Sequence, residues 1–362
     1  MLLAVNVFGQ QDSAFHIKGH ISGLNNGVIF LHYYGYLNRL VIDSSAIING
    51  DFQFTGKIIQ PEVAFIKMSK SPVEAAKPSF IFLEPTEMHV EMKNDPFSTI
   101  AITGSVSNNE LMEWKAADKK IQEQFVTVNN DPPDNDSAKR KLHQDSLVQF
   151  YDQRNTMSYN FMEKYPQSYF TGYFIDGHYQ NYTIAQLEVI YNSMGDELQK
   201  SIYGKQLLND MNAMNGSSEG TLAANIVSKD YISNADFDLS ALKGKYVLFD
   251  FWGSWCVPCI KLLPTLVKEH EQYKGKNIVF VSVARDYNGN QNKCRDIVNK
   301  LGMNWINLWD SMDTIDPKGI TTAYKVGDYP TFILIDPYGR VIERGSTEYG
   351  YLKCKAALEK VL

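Results

Sequence analysis

The chain has little of what marks several large protein classes. Four cysteines among 362 residues are too few for the disulfide framework that holds small secreted domains together. No apolar run reaches the roughly 18 residues that a helix needs to span a bilayer. Basic residues are not in excess, because 35 Lys and Arg stand against 41 Asp and Glu, a net charge of −6. Proteins that bind phosphate backbones need the opposite balance, so no nucleic-acid partner is expected.

What is present is an ordinary globular composition, with 44% hydrophobic and 21% charged residues. A chain of 362 residues is longer than a single hydrophobic core usually supports, so two or three domains are expected. The first nine residues, MLLAVNVFG, are apolar and polar residues follow them. We expect 1–11 to be the remnant of a signal peptide, although the basic start of one is missing, and the protein to be periplasmic or otherwise extracytoplasmic. A plain first strand is the alternative.

Hydrophobic periodicity then divides the chain into parts. Short alternating runs between turn residues predict an all-β, antiparallel, sandwich-like domain over 12–104. Helical periodicity predicts an α-helical domain over 105–214, with its first two helices separated at Asp131-Pro132-Pro133-Asp134. The long amphipathic helix expected over 136–165 could also serve a dimer, so an oligomer stays open.

The last part of the chain has the pattern of an α/β domain. A polar linker is expected over 215–220, and the domain over 221–362. The predicted elements alternate, with a closing hairpin and a final helix. The strands are expected at 246–252, 278–284, 331–336 and 340–344, and the helices between them at 256–273 and 291–301.

The segment DFWGSWCVPC, Asp250 to Cys259, carries the chemistry. Two cysteines three residues apart at the start of a helix point the same way, so their sulfurs can form a disulfide. The positive end of the helix stabilises a thiolate at Cys256, whereas Cys259 lies one turn further in. Cys256 is therefore the expected nucleophile and Cys259 the resolving cysteine. Pro258 agrees with this, because proline is favoured in a first helical turn.

Other interpretations of the cysteine pair stay open. A CxxC can be half of a zinc site, but Cys294, Cys354 and His270 are scattered single residues, and no metal site is expected. A purely structural disulfide would be a poor one, since so short a loop constrains the unfolded chain little. Cys294 and Cys354 are expected on helices that cover opposite faces of the sheet, and so not to pair.

The motif, with the downstream Tyr329-Pro330-Thr331, resembles the thioredoxin superfamily, and the run LKGKYVLFDFWGSWCVPC looks like its exported TlpA/ResA type. The resemblance covers about 221–362. The β domain and helical segment look similar to those ahead of such modules in bacterial envelope proteins. The resemblance implies a thioredoxin fold, dithiol–disulfide exchange and an extracytoplasmic setting.

The resemblance also assigns roles to single residues. Asp250 falls where thioredoxins keep a buried carboxylate, and burial should raise its pKa, so it is the expected proton acceptor for Cys259. Pro330 is expected to be cis, with the backbone of Tyr329 pairing with an extended substrate. Independently of the resemblance, Trp255 beside the first cysteine is expected to line the mouth of the site, with core filling as the alternative. Where ResA-type proteins often have Glu, three residues after the second cysteine, this chain has Leu262, which argues against carrying over the ResA role in cytochrome c maturation.

The expected function is thiol:disulfide exchange with protein thiols in the bacterial envelope, as a reductant. No cofactor is expected besides the redox-active Cys256–Cys259 disulfide. The expected partners are protein or peptide disulfides and an electron donor, for which a membrane thiol reductase is one candidate. Two alternatives stay open. One is a binding or scaffold protein with an auxiliary redox domain; the other is a thiol peroxidase, although 251–255 lack the Pro and Thr that peroxiredoxins place before their cysteine.

Overall fold

The computed structural model describes residues 14–35, 39–68, 79–94, 100–125, 137–214, 217–313, 316 and 319–362. The predicted signal remnant, the predicted break at Asp131–Asp134 and the first two residues of the predicted linker lie outside these ranges. Within them, no helix combines the length and the apolar character needed to cross a membrane.

Contacts divide the chain into two compact units. Unit 1 comprises Met1–Lys120, Ser158–Gly177 and Ser193–Lys205, and unit 2 comprises Ile121–Met157, His178–Asn192 and Gln206–Leu362.

Unit 1 contains a sheet in which eight described strands follow the order β6-β5-β2-β3-β4-β1-β7-β8. The strands form one continuous hydrogen-bonded sheet, and of its pairs β1–β7 is parallel while the others are antiparallel. One face carries a cluster of buried apolar side chains. The strands are β1 Ala14–Ser22, β2 Asn26–Gly35, β3 Arg39–Ile48, β4 Asp51–Lys57, β5 Glu62–Lys67, β6 Ser79–Leu83, β7 Glu87–Lys93 and β8 Ala101–Thr103.

Local sequence explains the hairpin at the centre of this sheet. In β4, Phe52 and Phe54 are buried and the residues beside them are exposed, as period-two alternation predicted. Asn49 and Gly50 join β3 to β4 with φ of 53° and 88°. A two-residue type I′ turn needs positive φ at both positions, and Asn-Gly is its preferred sequence. The turn thereby fixes the register in which Ile48 pairs with Asp51.

The middle segment is helical in its described part, but it does not form a unit of its own as predicted for 105–214. Contacts assign some stretches of it to unit 1 and others to unit 2, and the division falls inside several of its helices. The physical reason is that helices are stabilised mostly by packing their apolar faces on neighbouring elements, wherever in the sequence those elements lie. In unit 1, Phe170 packs against Phe82; in unit 2, Tyr151 packs against Tyr349. The helices are α1 Val106–Gln124, α2 Ser137–Lys164, α3 Tyr169–His178, α4 Ile184–Ser193, α5 Asp196–Lys200 and α6 Ile202–Met214, with a 3₁₀ turn at Tyr179–Asn181.

The C-terminal part of unit 2 has the thioredoxin fold. Its described sheet has the order β13-β12-β11-β14-β15, with β11, β12 and β13 parallel and β14 and β15 antiparallel to their neighbours. A small ribbon, β9 Val227–Lys229 and β10 Asp236–Asp238, precedes it. The strands are β11 Tyr246–Trp252, β12 Ile278–Asp286, β13 Ile306–Ser311, β14 Thr331–Ile335 and β15 Val341–Ser346. The helices are α7 Val257–Gln272, α8 Gln291–Leu301, α9 Ile320–Ala323 and α10 Thr347–Glu359.

Strand β11 lies at the centre of this sheet and is covered on both faces. Phe249 and Phe251 point into one buried cluster, and Leu248 and Trp252 into the other. A strand covered on both sides reads as a continuous apolar run, which is why YVLFDFW was recognisable. Strand β13 was not predicted from the sequence. Its Asn307 and Asp310 are buried polar residues that interrupt the apolar pattern.

Candidate active site

The two cysteines lie where the chain leaves β11 and enters α7. Cys256 is the N-cap of the helix, and its sulfur accepts a hydrogen bond from the backbone N–H of Cys259 at 3.2 Å. The two sulfurs are bonded to each other, with the Cα atoms 5.3 Å apart. Both residues are buried. An N-cap position places the Cys256 sulfur at the positive end of the helix, which stabilises a thiolate there when the bond is reduced.

Gly253 lets the loop pass closely over the end of β12. A side chain at this position would place its Cβ 2.5 Å from Nε1 of Trp255 and 2.7 Å from the carbonyl oxygen of Arg285. The same indole Nε1 donates a hydrogen bond to that carbonyl at 3.0 Å. The missing side chain therefore allows the Trp255 ring to dock across the strand end.

Asp250 lies on the face of β11 that α7 covers. Alternation along the strand places it on the same side as Leu248 and Trp252, whose buried cluster also contains Cys256 and Cys259. Burial raises the pKa of Asp250 to about 7, although a hydrogen bond from Ser282 lowers it in part. The Ser282 hydroxyl donates that bond at 3.1 Å. The carboxyl group thus changes its charge near neutral pH, as a proton acceptor in this position would need to do.

Sequence reasoning did not identify the residues that support Asp250. Ser282 is its register partner on the parallel strand β12, and Trp305 Nε1 donates to the Ser282 hydroxyl at 2.9 Å. The available signal was Ser282 itself, a polar residue inside the apolar run IVFVSVA. In a strand covered on both faces, such a residue needs a polar partner.

The peptide bond between Tyr329 and Pro330 is cis. Because Thr331 pairs with Phe251 across β14 and β11, Pro330 comes level with the end of β11 from which the cysteine loop departs. The Pro330 carbonyl accepts a hydrogen bond from the backbone of Thr347 at 2.7 Å. The structure therefore brings the proline and the cysteine loop to the same end of the sheet.

Aromatic side chains border the disulfide. The Trp255 ring meets the Tyr329 ring edge to face, with centroids 5.1 Å apart. Trp255 is 46% exposed, whereas Trp252 is fully buried in the core. Val257, directly after the first cysteine, is 63% exposed. These side chains form an apolar rim on which part of a substrate could pack.

Asp286, at the end of β12, holds the cysteine loop and was also missed. It accepts hydrogen bonds from Ser254 N–H at 2.9 Å, Tyr287 N–H at 2.9 Å and the Asn290 side chain at 2.7 Å. Burial opposes its ionisation, but these hydrogen bonds outweigh that effect and lower its pKa. The Cys294 sulfur lies 3.5 Å from its carboxylate.

The prediction for Cys294 and Cys354 was right about pairing and wrong about location. Both are free thiols and both are buried. They belong to the same buried cluster, on the face of the sheet that α7 covers. The reason is that right-handed crossovers between the successive parallel strands β11, β12 and β13 place α7 and α8 on one side, and α10, which carries Cys354, packs against α7 there. Leu262 is buried in this cluster as well, so an apolar side chain occupies that place.

No group of three or more His, Cys, Asp or Glu side chains suited to a metal ion occurs in the part of the chain that the structure describes. The arrangement is instead that of a dithiol–disulfide site. A sulfur at a helix start, a second sulfur one turn further along and a titratable carboxyl group on the covered strand can together break and form S–S bonds. The fold and the site therefore define a redox protein of the thioredoxin superfamily.

Comparisons with known proteins agree with this class. A family model described as "Thioredoxin-like" matches residues 244–341, and one described as a domain of unknown function (DUF4369) matches residues 15–111. Thiol-disulfide oxidoreductase ResA of Bacillus subtilis (strain 168) is 32% identical over 128 residues, which are 35% of this chain and 66% of that protein. ResA of Bacillus thuringiensis (strain Al Hakam) is 32% identical over 140 residues, which are 37% of this chain and 76% of that protein.

A solved structure is also similar. The thioredoxin domain of a thiol-disulfide oxidoreductase from Bacteroides vulgatus is 23% identical with a TM-score of 0.35, and the match covers 40% of this chain and 99% of that one. From the curated relatives, the chain belongs to the ResA-type thiol-disulfide oxidoreductases. The resemblance inferred from the cysteine motif is thereby confirmed.

Proposed function

We propose that the protein reduces disulfides in proteins or peptides through Cys256 and Cys259. The observation that carries this proposal is the bonded cysteine pair whose first sulfur caps helix α7. The Cys256 thiolate would attack one sulfur of a substrate disulfide, form a mixed disulfide and release the other substrate sulfur as a thiolate, which takes a proton. No cofactor takes part in these steps, because the cysteine pair itself carries the two electrons.

Resolution of the mixed disulfide needs a second thiolate. Asp250 would accept the Cys259 proton, and the Cys259 thiolate would attack the Cys256 sulfur and release the reduced substrate. The substrate gains two electrons and the enzyme is left as the Cys256–Cys259 disulfide. A thiol donor must then reduce the enzyme, and a membrane thiol reductase is a candidate. An extracytoplasmic location belongs to this proposal and can be tested by fractionating cells that make the protein.

The substrate is proposed to bind as an extended segment. Backbone groups of Tyr329 would pair with it as one strand pairs with another, while its sulfur meets Cys256. The position of the cis-proline at the same end of the sheet as the cysteine loop supports this. The Trp255 and Tyr329 rings would shield the mixed disulfide from water.

Trapping tests the proposal directly. In Cys259→Ser the first attack can occur but resolution cannot, so the variant should accumulate covalent complexes through Cys256. Non-reducing electrophoresis and mass spectrometry would detect them, and they should vanish in Cys256→Ser with Cys259→Ser. The wild-type protein should reduce insulin and show no fast turnover with hydrogen peroxide. Peroxide turnover without insulin reduction would favour a peroxidase instead.

A further inference from the structure

The 3₁₀ turn Tyr179–Asn181 lies in the middle segment, far from the cysteines in sequence. One of its side chains nevertheless reaches residues 328–330, which contain the cis-proline and lead into β14 and are called the cis-proline loop here. Gln180 is only 6% exposed. Its Nε2 donates a hydrogen bond to Oδ2 of Asp328 at 2.7 Å, and its Oε1 accepts one from the Ser346 hydroxyl at 2.8 Å. Asp328 directly precedes Tyr329, and Ser346 is the last residue of β15.

Further contacts join the residues on the two sides of the proline. The Thr331 hydroxyl, on the other side of Pro330, donates to the carbonyl oxygen of Asp328 at 2.6 Å and lies 3.1 Å from the Ser346 hydroxyl. Thr331 and Ser346 are themselves buried. Gln180 links the Asp328 side chain to Ser346, because its amide nitrogen donates to the one and its amide oxygen accepts from the other. A residue outside the thioredoxin fold thus connects the start of the loop to the end of β15.

We propose that Gln180 is a positioning residue for peptide substrates. The proposal deepens the proposed function and rests on it. A peptide that pairs with the Tyr329 backbone needs that backbone held at a fixed distance from Cys256, and errors of about 1 Å can cost about a hundredfold in rate. A small disulfide without a peptide backbone makes no such pairing. Gln180 should therefore matter for peptides and not for small disulfides.

The test uses the full chain with Gln180→Ala, reduced beforehand and mixed with excess disulfide. One substrate is a disulfide-bridged peptide, and the other is 2-hydroxyethyl disulfide. We expect the second-order rate constant with the peptide to fall about tenfold, mainly through a higher half-saturating concentration. The rate with 2-hydroxyethyl disulfide and the pH profile of Cys256 alkylation should remain those of the wild type. A purely structural role would lower both rates together.

Gln144→Ala is the matched control. Gln144 also comes from the middle segment and accepts a hydrogen bond from Lys355 of α10 at 2.9 Å, away from the cis-proline loop. Gln144→Ala should leave the rate constants with both disulfides at their wild-type values. If Gln180→Ala does not fold, Gln180→Glu keeps the acceptor for Ser346 but sets a carboxylate against Asp328, and should show the same peptide-specific loss.

The positioning role would be overturned if Gln180→Ala lowered the rate constants with the two disulfides equally, or lowered neither of them. A different result would count against the proposed function itself. If wild-type protein with reduced cysteines reacts with neither disulfide, the oxidoreductase proposal fails, and the role of Gln180 fails with it. The wild-type measurement therefore separates the two outcomes.

Discussion

Asp250, the proposed proton acceptor, lowers the stability of the fold at neutral pH. Burial raises its pKa to about 7, while an aspartate in an unfolded chain titrates near 3.9. Between these two values the unfolded chain has released a proton that the folded protein still holds. The free energy of unfolding therefore falls as pH rises from about 4 to about 7, and the full cost is present above this window.

Asp250→Asn should remove this pH dependence, because the amide does not titrate. We therefore compare the free energy of unfolding of the variant with that of the wild type. Between pH 4 and pH 8 this difference should shift by up to about 4 kcal/mol in favour of the variant, at about 1.4 kcal/mol per pKa unit. Urea unfolding at several pH values measures it. Asp296→Asn, which changes an exposed aspartate on α8, is the control and should leave the profile unchanged. Parallel profiles for Asp250→Asn and the wild type would contradict the assignment.

The same substitution should slow the resolving step. Only ionised Asp250 can accept the Cys259 proton, so the wild-type rate of resolution should rise with pH through about 7. Without a positioned base, we expect the mixed disulfide to persist about a hundredfold longer at pH 7.5. Rapid mixing with a disulfide peptide, followed by acid quenching and mass spectrometry, measures its lifetime. An unchanged lifetime would show that water or another group takes the proton.

Residue types predicted some members of the site and not others. Cys256, Cys259 and Asp250 lie in one short motif whose chemistry the residues themselves indicate, and the family resemblance added Pro330. Ser282, Asp286 and Gln180 act through hydrogen bonds to residues between 32 and 166 positions away in the sequence. Partners that distant are set by strand register and tertiary packing, which a single sequence does not reveal.

At the scale of elements, the turn between β11 and α7 sets the geometry of the cysteines. Gly253 brings the loop against β12, Asp286 holds the Ser254 N–H, and Cys256 caps the helix. The strand and helix on either side were predicted nearly to their ends. The loop geometry was not, because it depends on contacts with β12 and not on local propensity.

Gly253→Ala should displace this turn. The new methyl group would lie 2.7 Å from the Arg285 carbonyl oxygen, a backbone atom that cannot move aside cheaply. We expect insulin reduction to fall at least tenfold and the protein to lose about 1 to 3 kcal/mol of stability. Gly289→Ala is the matched control, since nothing lies within 4 Å of its Cβ position. Equal activities of the two variants would mean that the loop tolerates the change.

At the scale of the whole chain, the sequence predicted the class of each region but not how the regions are assembled into units. The described part of 105–214 is helical as expected, yet Ile121–Met157 and His178–Asn192 belong to the unit that holds the thioredoxin fold. Tyr151 packs against Tyr349, and the Tyr349 hydroxyl donates to Asp152 at 2.5 Å. Composition changes mark where secondary structure changes, and these need not be the limits of a folding unit.

Tyr151→Ala should therefore weaken the thioredoxin fold itself. Losing a partly buried ring costs about 2 kcal/mol, and we expect the urea transition monitored by tryptophan fluorescence to shift accordingly. Tyr338→Ala, which removes a tyrosine that is 80% exposed, should change stability by less than about 0.5 kcal/mol. A tryptophan transition that stays in place, while helical circular dichroism is lost earlier, would show that the middle helices unfold independently.

The unpaired, fully buried thiols of Cys294 and Cys354 have a consequence for handling the protein. In the oxidised native state they are shielded from thiol reagents, so labelling should be negligible until the chain is denatured. Once denatured, either sulfur can attack the Cys256–Cys259 bond and exchange partners with it. Refolding from denaturant should accordingly yield scrambled isomers unless a reductant is present, and the fraction recovered should drop as the refolding buffer becomes more alkaline.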